Sequence, residues 1–143
     1  MSTFPAIEEF LAEANVAVLA TVDRRGRPHA APVWYLYEDS PDGQAEIIVA
    51  TGEGSQKHRN VAANPEVTLV VDRRTLPYYA VMIHGRAEIG PPLTAEGLLR
   101  LATRYLGDEL ARRYVAAAPD GGSLTLRIRP RKVISYDGRA GRG

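Results

Sequence analysis

The sequence predicts a mainly β fold: a small antiparallel β-barrel of six strands with peripheral helices. Three observations predict it. Six runs of strand length, residues 16–22, 27–37, 45–51, 66–72, 78–89 and 123–136, are continuously apolar or alternate apolar with polar positions. Most are joined by turns too short for the crossovers that parallel winding needs. A helical segment crosses between the third and fourth strands, which leaves a barrel as the natural way to close the sheet.

Each element has its own signal. Residues 3–14 set Phe4, Ile7, Phe10 and Leu11 at helical spacing behind a Ser/Thr cap, with Glu8 and Glu9 near the start. Residues 16–22 form a compact apolar strand entering the turn Asp23-Arg24-Arg25-Gly26. Residues 27–37 return antiparallel, and Pro32 inside them requires an edge or a bulge because it cannot donate to a ladder. Asp42-Gly43 marks the next turn. After residues 45–51, Gly52-Glu53-Gly54 breaks the strand, Ser55 caps a helix to about Asn64, and Pro65 stops it. A fourth strand (66–72) and a loop (73–77) lead to the long fifth strand, where Gly85 marks a bulge or a close backbone approach. From Thr94 to about Ala118 run one or two helices, with Leu98, Leu101, Leu106 and Leu110 on the apolar side and Gly107 as the break. Residues 123–136 close the chain as a strand.

Composition narrows the function. The 143 residues suit one domain spanning 1–143, and 45 % hydrophobic with 24 % charged residues is an ordinary globular balance. No apolar run reaches the length of about 18 residues that a membrane helix needs. The acidic N-terminus is the reverse of a secretory signal, and cysteine is absent. These features point to a cytoplasmic protein. A net charge of +1 is far from that of a nucleic-acid binder. Arg127, Arg129, Arg131 and Lys132 read as one wet face of a strand, with Arg139 and Arg142 solvated beyond it.

The chemistry-bearing residues are few. His29, His58 and His84 lie on three elements without ligand spacing, so no metal is expected, and His84 reads as a satisfied barrel residue. There is no nucleophile elbow, and TGEGSQK (51–57) lacks the spacing of a Walker motif. Two features remain. Backbone N–H groups at the helix start after Ser55 favour an anion; Lys57, His58 and Arg59 add charge, and Thr51 and Ser55 add hydroxyls. The alternative for this stretch is a capped helix with solvated basic side chains. Along Pro32-Val33-Trp34-Tyr35, a planar ring can lie across the strand, backbone to its polar edge and side chains to its faces. The alternative there is that Trp34 is a large core residue.

Taken in order, Leu19-Ala20-Thr21, Gly26-Arg27-Pro28, Pro32-Val33-Trp34-Tyr35, Thr51, Ser55, Lys57, Arg59-Asn60-Val61, Asn64-Pro65 and residues 81–87 (VMIHGRA) resemble the flavin-binding split β-barrel superfamily of the pyridoxamine-phosphate oxidases. Within it the chain looks most like the small flavin/deazaflavin oxidoreductases, over residues of about 7 to 136. The resemblance implies an FMN-binding-type split barrel that forms a homodimer with cofactor sites in the subunit interface. It implies that Lys57 and Arg59 hold the phosphate with help from Thr51 and Ser55. The ring would rest on Pro32, Val33, Trp34 and Ala50, and the other subunit would cover it around Tyr78, Tyr79 and Met82. Trp34 after Pro-Val leans toward coenzyme F420, with FMN as the alternative. Lys57, Arg59, Arg24, Arg25 and Arg27 would line a groove for the acidic tail of F420. Arg129 and Arg131 match the substrate-phosphate residues of the oxidases poorly, which argues against pyridoxamine phosphate. The implied activity is hydride transfer to a small unsaturated or conjugated substrate, with cofactor storage without turnover as another outcome. Hydride transfer asks little of side chains, so no catalytic residue is assigned; Tyr35, Tyr79 and His84 are proton sources only if they face the cavity.

Overall fold

The computed structural model describes residues 7–137. Phe4 and the predicted cap of the first helix, and Arg139 and Arg142, lie outside the described residues. The chain runs α1 (Ile7–Ala12), β1 (Ala17–Val22), β2 (Pro28–Val33), β3 (Leu36–Asp39), β4 (Ala45–Gly52), α2 (Gln56–Ala63), β5 (Glu66–Arg73), β6 (Tyr79–Gly90), α3 (Ala95–Leu106), α4 (Asp108–Ala117) and β7 (Ser123–Asp137). All strand pairs are antiparallel, in one sheet of order β2-β1-β5-β6-β7-β4-β3.

The expected six strands are seven, because 27–37 is two strands rather than one. β2 and β3 stand at opposite ends of the sheet order, yet only Trp34 and Tyr35 separate them in the chain. Three residue steps span at most about 11 Å, so the sheet must curl until its two margins meet. They do not pair there, and the barrel is split along that seam. The break has a specific cause. The Tyr35 N–H donates to the Tyr105 hydroxyl (3.2 Å) instead of to a strand, and the Tyr35 hydroxyl donates to the Leu11 carbonyl (2.8 Å).

Other expectations hold. β2 pairs with β1 alone, the edge position Pro32 demands. The β6–β7 register slips between His84 and Gly85, where an added Cβ would stand 2.5 Å from the Arg129 carbonyl oxygen. Gly107, at φ 81°, separates α3 from α4.

The barrel interior holds Phe10, Leu19, Tyr35, Leu69, Ile83, Leu126 and Ile128, all essentially inaccessible to water. A second cluster lies outside the barrel wall. Leu36, Ile48 and Leu101, with Trp34, Ala50, Leu93 and Tyr105 packed on them, fasten α3 over β3 and β4. β4 is therefore covered on both faces. The arginines of β7 are not simply wet. Arg127 and Arg129 flank the buried Glu46 carboxylate at 2.9 and 3.7 Å, Arg129 also grips Asp42 (2.9 Å), and Arg131 pairs with Glu66 (3.1 Å). Among the described residues no helix is long and apolar enough to cross a membrane.

Candidate functional site

The seam of the barrel opens into a cleft of about 380 Å³. It is lined by Pro32 and Val33 of β2, Trp34 beyond them, Ala50 of β4 and Lys57 of α2. Leu98 and Leu101 of α3, Tyr114 of α4 and Val16 complete it. Five of the residues expected to hold a cofactor, Pro32, Val33, Trp34, Ala50 and Lys57, thus converge.

Trp34 both packs and lines the cleft. It is half-buried in the outer cluster, with its ring stacked on Tyr105 (centroids 4.8 Å, planes 7° apart) and tilted against Tyr114 (5.9 Å, 44°). Tyr105 is fixed in turn, since its hydroxyl donates to the Asn15 carbonyl (3.0 Å) while accepting from Tyr35. The cleft wall is therefore a braced surface. Among the described residues, the margin of β2 that faces away from β1 has no strand partner, so its backbone polar groups are available to a ligand.

Lys57 is half-buried and has no hydrogen-bond or ion-pair partner among the described residues. A partly desolvated ammonium without a counter-charge among the described residues, in a cleft whose other side chains are aliphatic or aromatic, fits a ligand with a flat body and an anionic group. The helix beside it starts as expected: Ser55 caps α2, its Oγ accepting from the His58 N–H (3.3 Å). The Ser55 and Thr51 hydroxyls are bonded to each other (2.9 Å).

The remaining residues part company with Lys57. Arg59 points the other way, its guanidinium donating to the Gly54 carbonyl and to Gln56 Oε1 (2.7 Å). It lines a different cleft of about 600 Å³ together with Arg24, Arg25, Arg27 and His58. Lys57 and Arg59, expected to grip one phosphate, here line different clefts: two residues apart on a helix are about 200° apart around it. The basic groove around Arg24, Arg25, Arg27 and Arg59 does exist, without Lys57. Thr51 borders a third cleft next to the first.

Tyr79 is not beside Met82. It faces the core, 6 % exposed, with its ring edge-on to Phe10, whereas Met82 is on the outer face of β6. As proton sources, the three named groups are turned away. Tyr35 is sealed in the core, where burial pushes its hydroxyl well above the usual tyrosine range. Tyr79 shares that core, and His84 Nδ1 is bonded to the Thr68 hydroxyl (2.9 Å). The other histidines are also engaged: His29 Nε2 with Asp23 (2.9 Å), and His58 Nδ1 accepting from the Gly54 N–H (2.9 Å). Among the described residues no cluster of potential metal ligands forms. The sequence reading missed Val16 and Tyr114 at the cleft, and it placed Leu98 and Leu101 only as helix packing. An aromatic at the edge of an amphipathic helix was the signal available for Tyr114.

Comparison with known proteins identifies the family. The family model described as pyridoxamine 5'-phosphate oxidase matches residues 3–137. A 5a,11a-dehydrotetracycline/5a,11a-dehydrooxytetracycline reductase of Streptomyces rimosus is 33 % identical over 127 residues, covering 84 % of this chain and 85 % of its own. A pyridoxine/pyridoxamine 5'-phosphate oxidase of Salinispora arenicola is 31 % identical over 159 residues, covering 92 % and 69 %. The solved structure of an F420 reductase matches with a TM-score of 0.70 at 25 % identity, covering 92 % of this chain and 98 % of its own.

Proposed function

The chain belongs to the pyridoxamine 5'-phosphate oxidase family, and from that premise we propose that it is a reductase using coenzyme F420 to deliver hydride to a small unsaturated or conjugated substrate. The observation that carries this reading is Lys57, a cation without a partner among the described residues, in the cleft lined by Pro32, Val33, Trp34 and Ala50. Bound there, the deazaflavin supplies a hydride donor. The chain's own residues do the rest. Trp34, braced by Tyr105, and Val33 give the ring a rigid apolar wall that excludes water. Lys57 binds and orients the anionic part, and the separate cleft lined by Arg24, Arg25, Arg27 and Arg59 suits the acidic tail of F420. Tyr35 and Tyr79 are in the core and His84 is bonded to Thr68, so the proton-bearing groups at the cleft are Lys57 and Tyr114, beside solvent.

A homodimer is supported by the outer face of the sheet. Pro32, Val18, Val70, Met82 and Ile134 are successive cross-strand partners, an accessible apolar row that starts at the cleft and crosses five strands. On this proposal Met82, on the outer face of β6, is the residue of the row that would face a second copy. Sedimentation at micromolar concentration is expected to show a dimer, and Met82→Glu a monomer.

FMN is the second reading, favoured by the single cation of that cleft, Lys57, which one phosphate would neutralise. Titration of dialysed protein with F420 and with FMN, followed by fluorescence quenching, decides between them. F420 is expected to bind about tenfold more tightly or better. Lys57→Ala should weaken it by about 1.5–3 kcal/mol, roughly 10- to 150-fold, with thermal stability unchanged. Equal affinity for the two coenzymes, or an unaltered Lys57→Ala variant, defeats the proposal.

A further inference from the structure

We infer that the cleft next to the cofactor cleft, along α3 and α4 and the end of β4, takes an uncharged, mostly apolar substrate, and that Asp120 excludes anions from it. This rests on the reading of the first cleft as the cofactor site. The second cleft measures about 670 Å³, within the range of roughly 300–1,000 Å³ typical of small-molecule sites. Ala50, Leu98 and Tyr114 belong to both clefts, so the two occupants would meet across a shared wall.

The lining decides the chemistry. Among the described residues it contains no Lys, Arg or His, and Asp120 is its only charged side chain. Thr51 and Ser123 supply hydroxyls, the first of them already bonded to Ser55. A phosphate or sulfonate entering such a cleft would lose water, find no cation and meet a carboxylate. The basic residues that would serve a phosphorylated substrate are elsewhere and engaged: Arg129 with Asp42 and Arg131 with Glu66. The cofactor cleft thus welcomes an anion, whereas its neighbour repels one.

Two probes with the same rings test this in the full chain. N-phenyl-1-naphthylamine is neutral, and 8-anilino-1-naphthalenesulfonate carries one added anionic group; both brighten in apolar sites. The neutral probe is expected to bind about tenfold more tightly or better, and Asp120→Lys, on an exposed loop, to bring the two within roughly threefold. Ala117→Trp, on an exposed position of the wall, should weaken the neutral probe by about tenfold while leaving F420 affinity within roughly twofold. Lys57→Ala should do the reverse. Equal binding of both probes by the wild-type chain, or undiminished neutral-probe binding in a folded Ala117→Trp variant, overturns the inference. If that variant does not fold, an unchanged probe preference in Asp120→Lys overturns it as well. Should F420 fail to bind while the probe pattern stands, the cofactor reading falls and the neutral cleft does not.

Discussion

Tyr105→Phe isolates the clasp that breaks the strand and braces the tryptophan. The substitution keeps the ring, and with it the stack on Trp34 at 4.8 Å, but removes a hydroxyl that accepts from the Tyr35 N–H (3.2 Å) and donates to the Asn15 carbonyl (3.0 Å). Each such hydrogen bond contributes about 1 kcal/mol net, and a buried donor left unpaired costs about 1–3 kcal/mol. Because Tyr105 is only half-buried, water replaces part of the loss, and the expected destabilisation is about 2 kcal/mol. For a chain of this size that lowers Tm by about 4–8 °C. The assay is thermal unfolding by circular dichroism, with emission of the single tryptophan as control. The emission maximum of the native Phe variant should match wild type, since the stack survives, and Tyr105→Ala should shift it. A Phe variant with wild-type Tm would refute the argument, because the hydroxyl would then not be what holds Tyr35 out of the strand.

Two other outcomes are expected. Gly85→Ala places a Cβ 2.5 Å from the Arg129 carbonyl oxygen and 3.0 Å from Ile128 Cγ2 at the β6–β7 slip, so it should destabilise by about 1–3 kcal/mol, read as a lower denaturation midpoint in urea. The His29 bond to Asp23, aided by the backbone N–H groups of Arg27 and Arg25, holds the Asp23 carboxyl down at about 2. A depressed carboxyl stabilises the fold above its unfolded value of 3.8 and loses that contribution as pH falls through about 2. Wild type should therefore melt above Asp23→Asn at pH 5, and the gap should close by about pH 2.

The fold was legible wherever one residue type forces a local geometry. Pro32 demanded an edge, Gly85 a bulge and Gly107 a helix break, and each is where it was expected. The seam was not legible, because residues 27–37 are uniformly strand-like. What divides them is a hydroxyl on Tyr105, 70 positions away. At the site, Pro32, Val33, Trp34, Ala50 and Lys57, grouped by motif order, line one cleft. Arg59 and Tyr79 lie apart from it, along periodicities the sequence does contain. Residues 57 and 59 cannot share a helix face, and 79 and 82 cannot share a strand face. The neutral cleft was invisible, since it is built where the α3–α4 hairpin meets the turn before β7.

The position of β7 bears on how this chain is made. It is the last described strand to leave the ribosome, yet it lies between β6 and β4. Until residues 123–137 emerge, both of those strands present unsatisfied hydrogen-bonding margins beside Ile47, Val49 and Ile83, side chains that water never reaches in the finished protein. Such margins recruit other chains. Any stall or truncation before that strand leaves two sticky edges on an unfinished sheet, open to pairing with another chain.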